Sequence, residues 1–60
     1  MHKIKRLEYW KNAKGEYNYR AIGINGKVLA SINQGFKRIS GLEKNRTALG
    51  WANVPLKEIQ

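Results

Sequence analysis

The chain has 60 residues, no cysteine, and twelve lysines and arginines against four acidic residues, for a formal net charge of +8. The lack of cysteine excludes disulfides and thiolate metal sites, and no apolar run reaches the roughly 18–20 residues that cross a bilayer, so we expect a cytoplasmic protein. A chain of this length buries only about 60% of its unfolded surface, which predicts one small domain over 1–60 with a flexible N-terminus at 1–3.

The first predicted elements are two strands joined by a tight turn. Residues 4–11 are rich in isoleucine, leucine and aromatic side chains, which suit a strand. The turn that follows contains Gly15, at the position most suited to a positive φ angle. Residues 16–24 then alternate, so that Tyr17 points to one face of a sheet and Arg20 to the other. This pattern indicates an antiparallel pair.

A second hairpin turn is predicted at Asn25-Gly26, because a type I′ turn needs positive φ angles that asparagine and glycine tolerate. Residues 27–33 follow as a third strand with alternating apolar side chains. Residues 34–36 break the strand pattern. The three strands together predict an antiparallel meander.

One helix is predicted over residues 41–52. Ser40 is suited to cap its start, and Glu43, three residues later, would complete a capping box. Asn53 and Pro55 predict its end, because the residue before a proline avoids helical angles. The stripe that would pack on the sheet consists of Leu42, Asn45, Leu49 and Ala52.

The last segment, 54–59, alternates weakly and predicts a short C-terminal strand. The expected fold class is therefore α+β, with a three-stranded antiparallel meander, one helix and a final strand in the order β-β-β-α-β. A chain this small needs stabilisation beyond its own core. Since its sequence offers neither disulfides nor clustered metal ligands, oligomerisation is the remaining means. We therefore expect a homodimer.

The sequence contains no arrangement typical of catalysis. Its one histidine, His2, adjoins the N-terminus, and its four glutamates are not paired at a spacing that suggests acid–base chemistry. The glycines at residues 23–26 belong to a hairpin turn rather than to a phosphate loop between a strand and a helix. We expect no enzymatic activity, no cofactor, no metal, no small-molecule substrate and no membrane partner.

Two interpretations of the positive charge remain open. It can be a solvated surface that keeps the protein soluble, or it can contact nucleic acid or an acidic protein. Aromatic residues in the first two strands interleave with Arg20, an arrangement that can stack on and clamp nucleic acid. Alternatively, Tyr17 and Tyr19 fill the core beneath the helix, with their hydroxyls at its edge.

Trp51 lies outside the apolar stripe of the predicted helix, nearly opposite Leu42 and Arg46. A tryptophan in this position is a candidate anchor for a protein partner. It can equally pack against the segment that follows Pro55. Both interpretations remain open.

The order of several short motifs resembles the YegP-like family of small proteins, over residues 8–59. Members have a glycine–glutamate–aromatic start to the second strand, an asparagine–glycine turn before a Val-Leu-Ala-Ser strand, a glycine–aromatic pair before the helix, and an asparagine and a proline after it. The matching residues here are Gly15-Glu16-Tyr17, Asn25-Gly26, Val28-Leu29-Ala30-Ser31, Gly35-Phe36, Asn53 and Pro55.

This resemblance implies a fold rather than a biochemical role. The family's unit is three strands, a helix and a last strand, and two units are joined by exchanging their C-terminal strands. The resemblance therefore implies a homodimer in which residues 54–59 cross to the partner. Together with Trp51, it makes the candidate protein interface Trp51, Val54, Leu56 and Ile59.

The chain also resembles, more weakly, the arm-binding domain of tyrosine-type phage integrases. Those domains have three strands and a helix that is often entered through a Gly-Phe-Lys step, as at residues 35–37 here. They lay their sheet in the major groove of DNA. This resemblance implies a monomer in which Lys5, Arg6, Lys11 and Arg20 contact DNA. With Lys37 and Arg38 at the start of the helical region, the candidate nucleic-acid-binding residues are Lys5, Arg6, Lys11, Arg20, Lys37 and Arg38.

Two functions follow as hypotheses. The leading one is a non-enzymatic binding protein that engages an anionic macromolecule, nucleic acid first, through a basic surface. The alternative is a protein–protein interaction module, such as a small phage-encoded regulator or inhibitor of a host or partner protein.

Overall fold

In the computed structural model, which describes residues 3–59, four strands and one helix follow one another along the chain. Their bounds are β1 (Ile4–Lys11), β2 (Tyr17–Gly23), β3 (Val28–Phe36), α1 (Ile39–Ala48) and β4 (Leu56–Glu58). The strands form one sheet in the order β3-β2-β1-β4. The expected α+β class and the order of elements are confirmed. The expectations for His2 and for part of the N-terminus fall on residues outside the described range.

The meander is confirmed, and its two turns are built alike. In the first, Asn12 and Glu16 face each other and the Gly15 N–H donates to the Asn12 carbonyl; Gly15 has φ 78°. In the second, Gly23 and Lys27 face each other and the Gly26 N–H donates to the Gly23 carbonyl; Gly26 has φ 84°. Asn25 has no positive φ, so the predicted type I′ turn is wrong. The loop has three residues, and a glycine bulge closes it.

β3 is longer than predicted, because residues 34–36 continue the strand instead of ending it. Gly35 takes a φ of 72° at an irregularity in the pairing, and its N–H donates to the Asn18 side-chain oxygen at 3.0 Å. Phe36 then returns to register opposite Tyr17. A bulge therefore carries the strand three residues further than its alternation indicated.

The bounds of the helix differ from the prediction at both ends. α1 begins at Ile39 after Arg38, with no side-chain cap, so the predicted capping box of Ser40 and Glu43 does not form. It ends at Ala48 because Gly50 has φ 86°. The Gly50 N–H donates to the Thr47 carbonyl and the Trp51 N–H to the Arg46 carbonyl, which is a Schellman motif.

The core lies between α1 and one face of the sheet. Leu7, Tyr19, Ala21 and Leu42 are fully buried in it. The Tyr19 hydroxyl donates to the Asn45 side-chain oxygen of α1. Tyr19 therefore belongs to the core, in agreement with the interpretation that the tyrosines fill the core beneath the helix. Tyr17 is half-buried and packs against this core.

β4 lies parallel to β1 of the same chain, with Leu7 opposite Leu56. Two backbone hydrogen bonds of 2.8 Å fix it, from the Leu7 N–H to the Pro55 carbonyl and from the Ile59 N–H to the Tyr9 carbonyl. The expected short final strand is confirmed. A strand exchanged from a partner would occupy this same position beside β1.

The Arg46 side chain fastens the segment between α1 and β4. Its Nη1 donates to the carbonyls of Trp51 at 3.2 Å and Val54 at 2.6 Å, while its Nε bonds Glu43 at 2.8 Å. Arginine offers five N–H donors in a fixed fork, which suits it to several acceptors at once. Within residues 3–59, no helix is long and apolar enough to cross a membrane.

Candidate nucleic-acid interface on the sheet

The face of the sheet opposite α1 carries most of the charged side chains of the strands. Strand alternation and cross-strand register place one set of side chains there, away from Leu7 and Tyr19. We call this set the open face. It consists of Arg6, Glu8 and Trp10 from β1, Asn18, Arg20 and Ile22 from β2, Val28 and Ser31 from β3, and Lys57 from β4.

At the centre of the open face, Glu8 joins two arginines. Its carboxylate accepts a hydrogen bond of 2.7 Å from the Arg6 Nε and one of 2.9 Å from the Arg20 Nε. The two guanidinium groups cover it, so that Glu8 is only 6% exposed although no helix lies over this face. Charge-assisted bonds of this kind hold long side chains in place.

The charge of Glu8 is stabilised by these contacts. The hydrogen bond from Arg6 lowers the pKa of Glu8 below its ordinary value; burial of the carboxyl opposes this, and the hydrogen bond from Arg20 lowers it further. Glu8 is therefore ionised at neutral pH. It fixes the positions of Arg6 and Arg20 and cancels part of their charge.

Arg20 also covers the ring of Trp10. Its guanidinium carbon lies 5.6 Å from the ring centroid, a cation–π distance. Beside the pair is an open cavity of about 500 Å³, lined by Trp10, Lys11, Arg20 and Ile59. The cavity thus combines an aromatic surface, an apolar wall and the guanidinium of Arg20, with Lys11 at its border.

Lys57 adds a third cationic side chain on the other side of Glu8. It faces Glu8 across the β1–β4 pair and is exposed. Arg6, Arg20 and Lys57 consequently surround a single carboxylate, and the open face has a positive charge. Cationic side chains on an uncovered sheet face can bind phosphate groups.

Of the six residues predicted to bind nucleic acid, the structure brings two together on the open face, where Arg6 and Arg20 meet at Glu8. Lys11 borders the cavity, but strand alternation places its side chain on the face of Tyr17, with its ammonium 5.6 Å from the centroid of that ring. The others are exposed but stand apart from the open face: Lys5 on β1, and Lys37 and Arg38 between β3 and α1.

Three of the four residues predicted to form a protein interface make packing contacts within the chain. Trp51, Val54 and Leu56 are half-buried against the core. The Trp51 ring stands edge-on to Tyr19, with centroids 6.4 Å apart. Trp51 reaches this position because the helix ends before it. Ile59 lies elsewhere, at the wall of the cavity.

Sequence reasoning missed Glu8, Trp10 and Lys57 as members of a common site. The signal was present in the first turn. Pairing Asn12 with Glu16 fixes the register of β1 and β2, and that register sets Glu8 opposite Arg20. No local sequence signal predicts the parallel pairing that brings Lys57 beside Glu8, because β2, β3 and α1 all lie between the two paired strands in the chain.

Other chemistry is sparse in the part of the chain that the structure describes. It contains no group of three histidine, cysteine or acidic side chains able to hold a metal ion. Comparison with known proteins adds no relative: no family model matches the sequence, and no curated protein or solved structure is significantly similar to it.

Proposed function

We propose that this protein is a non-enzymatic binding protein that engages an anionic macromolecule, nucleic acid first, through the open face. The observation that carries the proposal is the arrangement of Arg20 over Trp10, with Arg6 and Lys57 nearby, on the face of the sheet opposite α1. The net charge of +8 supports it, since a field of this sign attracts polyanions over a distance.

The arginines of the open face keep free donors while they are held in place. Arg6 contacts Glu8 through Nε, and Arg20 contacts it through Nε and Nη2. The remaining N–H groups of both can bond phosphate oxygens, which match the guanidinium fork. Because Glu8 has already ordered the two side chains, less conformational entropy is lost when phosphate binds.

A salt titration tests this proposal. A fluorescently labelled oligonucleotide should bind with a Kd of about 1–100 µM at moderate salt, and log K should fall linearly with log salt concentration. No binding at about 50 mM salt, or an affinity independent of salt, would contradict the proposal.

Two variants that remove the same charge locate the site. Lys57→Gln removes a cation from the open face, and Lys44→Gln removes one from the exposed surface of α1. We expect Lys57→Gln to weaken binding and to reduce the salt slope by about 1, as for a lost phosphate contact. Lys44→Gln should change both much less. Equal effects would mean that binding depends on overall charge and not on the open face.

A protein–protein interaction module, such as a small regulator or inhibitor encoded by a phage, is the second candidate. Exposed apolar side chains around the second turn favour it: Ile24 is 66%, Val28 51% and Leu29 41% exposed. Pull-down from a nuclease-treated lysate separates the two functions, because capture through nucleic acid is lost and direct protein capture survives. Replacing Leu29 by Thr should reduce only protein capture.

We further propose the homodimer with exchanged C-terminal strands that resemblance to the YegP-like family implies, acting in the cytoplasm. The small core supports it, since few means of stabilising so short a chain remain. Residues 54–59 would then make the β1 contacts of β4 across two chains. Sedimentation should give about twice the chain mass of 6.9 kDa. A particle of the single-chain mass would refute the dimer and leave the binding proposal standing.

A further inference from the structure

The cavity beside Trp10 is an open depression with room for one small ligand. Its volume of about 500 Å³ lies within the range of roughly 300–1,000 Å³ that is common for such sites. It opens to solvent at the end of β1. An aromatic ring, an apolar side chain and the guanidinium of Arg20 meet there on the open face.

The lining of the cavity matches the parts of one nucleotide. The Arg20 guanidinium lies over one face of the Trp10 indole, so a base can stack on the other face, and Ile59 offers an apolar wall for its edge. Arg20 lies at the same cavity and can bond the adjoining phosphate. Arg20 keeps its position during this, since Glu8 holds it at 2.9 Å.

The bases of a duplex cannot use such a cavity. They are stacked on one another inside the double helix, and only their edges are accessible in the grooves. An unpaired base, in contrast, can turn its flat face toward an aromatic side chain on a sheet. Stacking involves the face common to all bases, so a site of this kind discriminates little between sequences.

We propose that the cavity lined by Trp10, Lys11, Arg20 and Ile59 binds an unpaired nucleobase, so that the open face recognises single-stranded nucleic acid in preference to duplex. The inference rests on the proposed function and adds the class of nucleic acid and the site of base stacking. Little base preference is expected.

Three probes of equal length test the inference. They are an oligothymidine of about 12 nucleotides, a duplex of the same length, and a single strand of abasic sugars, which keeps the phosphates and lacks the bases. We expect the oligothymidine to bind at least about tenfold more tightly than either of the others, in line with the stacking of one base.

Variants at Trp10 provide the second arm. Trp10→Leu should lose about tenfold in affinity for oligothymidine and leave affinity for the abasic strand unchanged, whereas Trp10→Phe should keep most of the affinity because it keeps an aromatic face. Circular dichroism and a thermal melt of each variant show whether it is folded; if Trp10→Leu is unfolded, the comparison of the abasic strand with oligothymidine on the unaltered protein decides.

The outcomes separate the two proposals. Equal, salt-dependent binding of oligothymidine and the abasic strand would overturn base stacking and leave the binding of phosphates by the open face in place. Equal binding of the duplex and oligothymidine would overturn the single-strand preference. If no probe binds at about 50 mM salt, the proposed function fails, and the inference that rests on it fails too.

Discussion

Glu8 faces Arg20 across the β1–β2 pair, and its carboxylate accepts a hydrogen bond of 2.9 Å from the Arg20 Nε. Arg6 bonds the other carboxylate oxygen at 2.7 Å. A phosphate bound by two arginines would present oxygens to them in a similar way. Glu8 is therefore both the group that orders the cationic side chains of the open face and a competitor for their donors.

Glu8→Gln should change stability and binding in opposite directions. Loss of the charge weakens two charge-assisted hydrogen bonds between a buried carboxylate and two partly exposed arginines, so we expect the free energy of unfolding to fall by about 1 kcal/mol. Removing a negative charge from the open face should at the same time strengthen binding to an oligonucleotide at low salt. Urea denaturation and a binding titration measure the two effects. Weaker binding would show that the positioning of the arginines by Glu8 outweighs its charge.

The contribution of Glu8 to stability should disappear in acid. Its pKa is lower in the folded chain than the unfolded value of about 4.3, so its stabilising effect is complete above that value and is lost as the pH falls through the lower, folded pKa. The difference in unfolding free energy between the original chain and Glu8→Gln should therefore be constant near neutral pH and shrink below about pH 4. A difference that stays constant down to pH 2 would contradict the role of the carboxylate.

Tyr19→Phe should destabilise the fold through one hydrogen bond. It removes the hydroxyl that donates to Asn45 and keeps the buried ring in its contacts with Phe36 and Trp51. We expect a loss of about 1 kcal/mol in the free energy of unfolding. Tyr17→Phe is the matched control, since Tyr17 is half-buried and contacts the same core. Equal losses in urea denaturation would mean that the bond to Asn45 contributes nothing specific.

Two glycines of the helical region should respond to alanine with opposite signs. Gly50 ends α1 with φ 86°, and a side chain there is strained although it would meet open space, so Gly50→Ala should cost about 1–2 kcal/mol. Gly41 lies inside α1 with no positive φ, and an added Cβ would make ordinary contact with Phe36 at 3.5 Å. Gly41→Ala should stabilise the protein by about 0.5–1 kcal/mol. Thermal denaturation of both variants measures the contrast.

The strands could be predicted from sequence because their signals are local. The alternation of β2 and the glycines of both turns set the meander, and β1 begins and ends where its composition indicated. The turn type could not be assigned, since Asn25-Gly26 suits both a type I′ turn and a three-residue loop in which Gly26 alone has positive φ.

The helix was harder to predict because its ends depend on contacts outside it. Ser40 and Glu43 form a plausible capping box, but the bulge at Gly35 extends β3, and α1 begins soon after it. Gly50 lies inside the predicted helix of residues 41–52, but in the structure its positive φ ends α1. Since α1 ends there, Trp51 turns back to the core, a position that helical spacing alone could not indicate.

The shortest strand of the sheet, β4, is held by its parallel pairing with the much longer β1. The hairpins close over short turns and can form early, whereas β4 has three residues and closes the longest loop of the chain. Its amide hydrogens should therefore exchange with solvent at a lower free energy than those of β2. The Ile59 N–H donates to the Tyr9 carbonyl, and Ile59 also lines the cavity beside Trp10. A base bound in that cavity would thus slow exchange in β4, so that occupation of the site and closure of the sheet are thermodynamically linked.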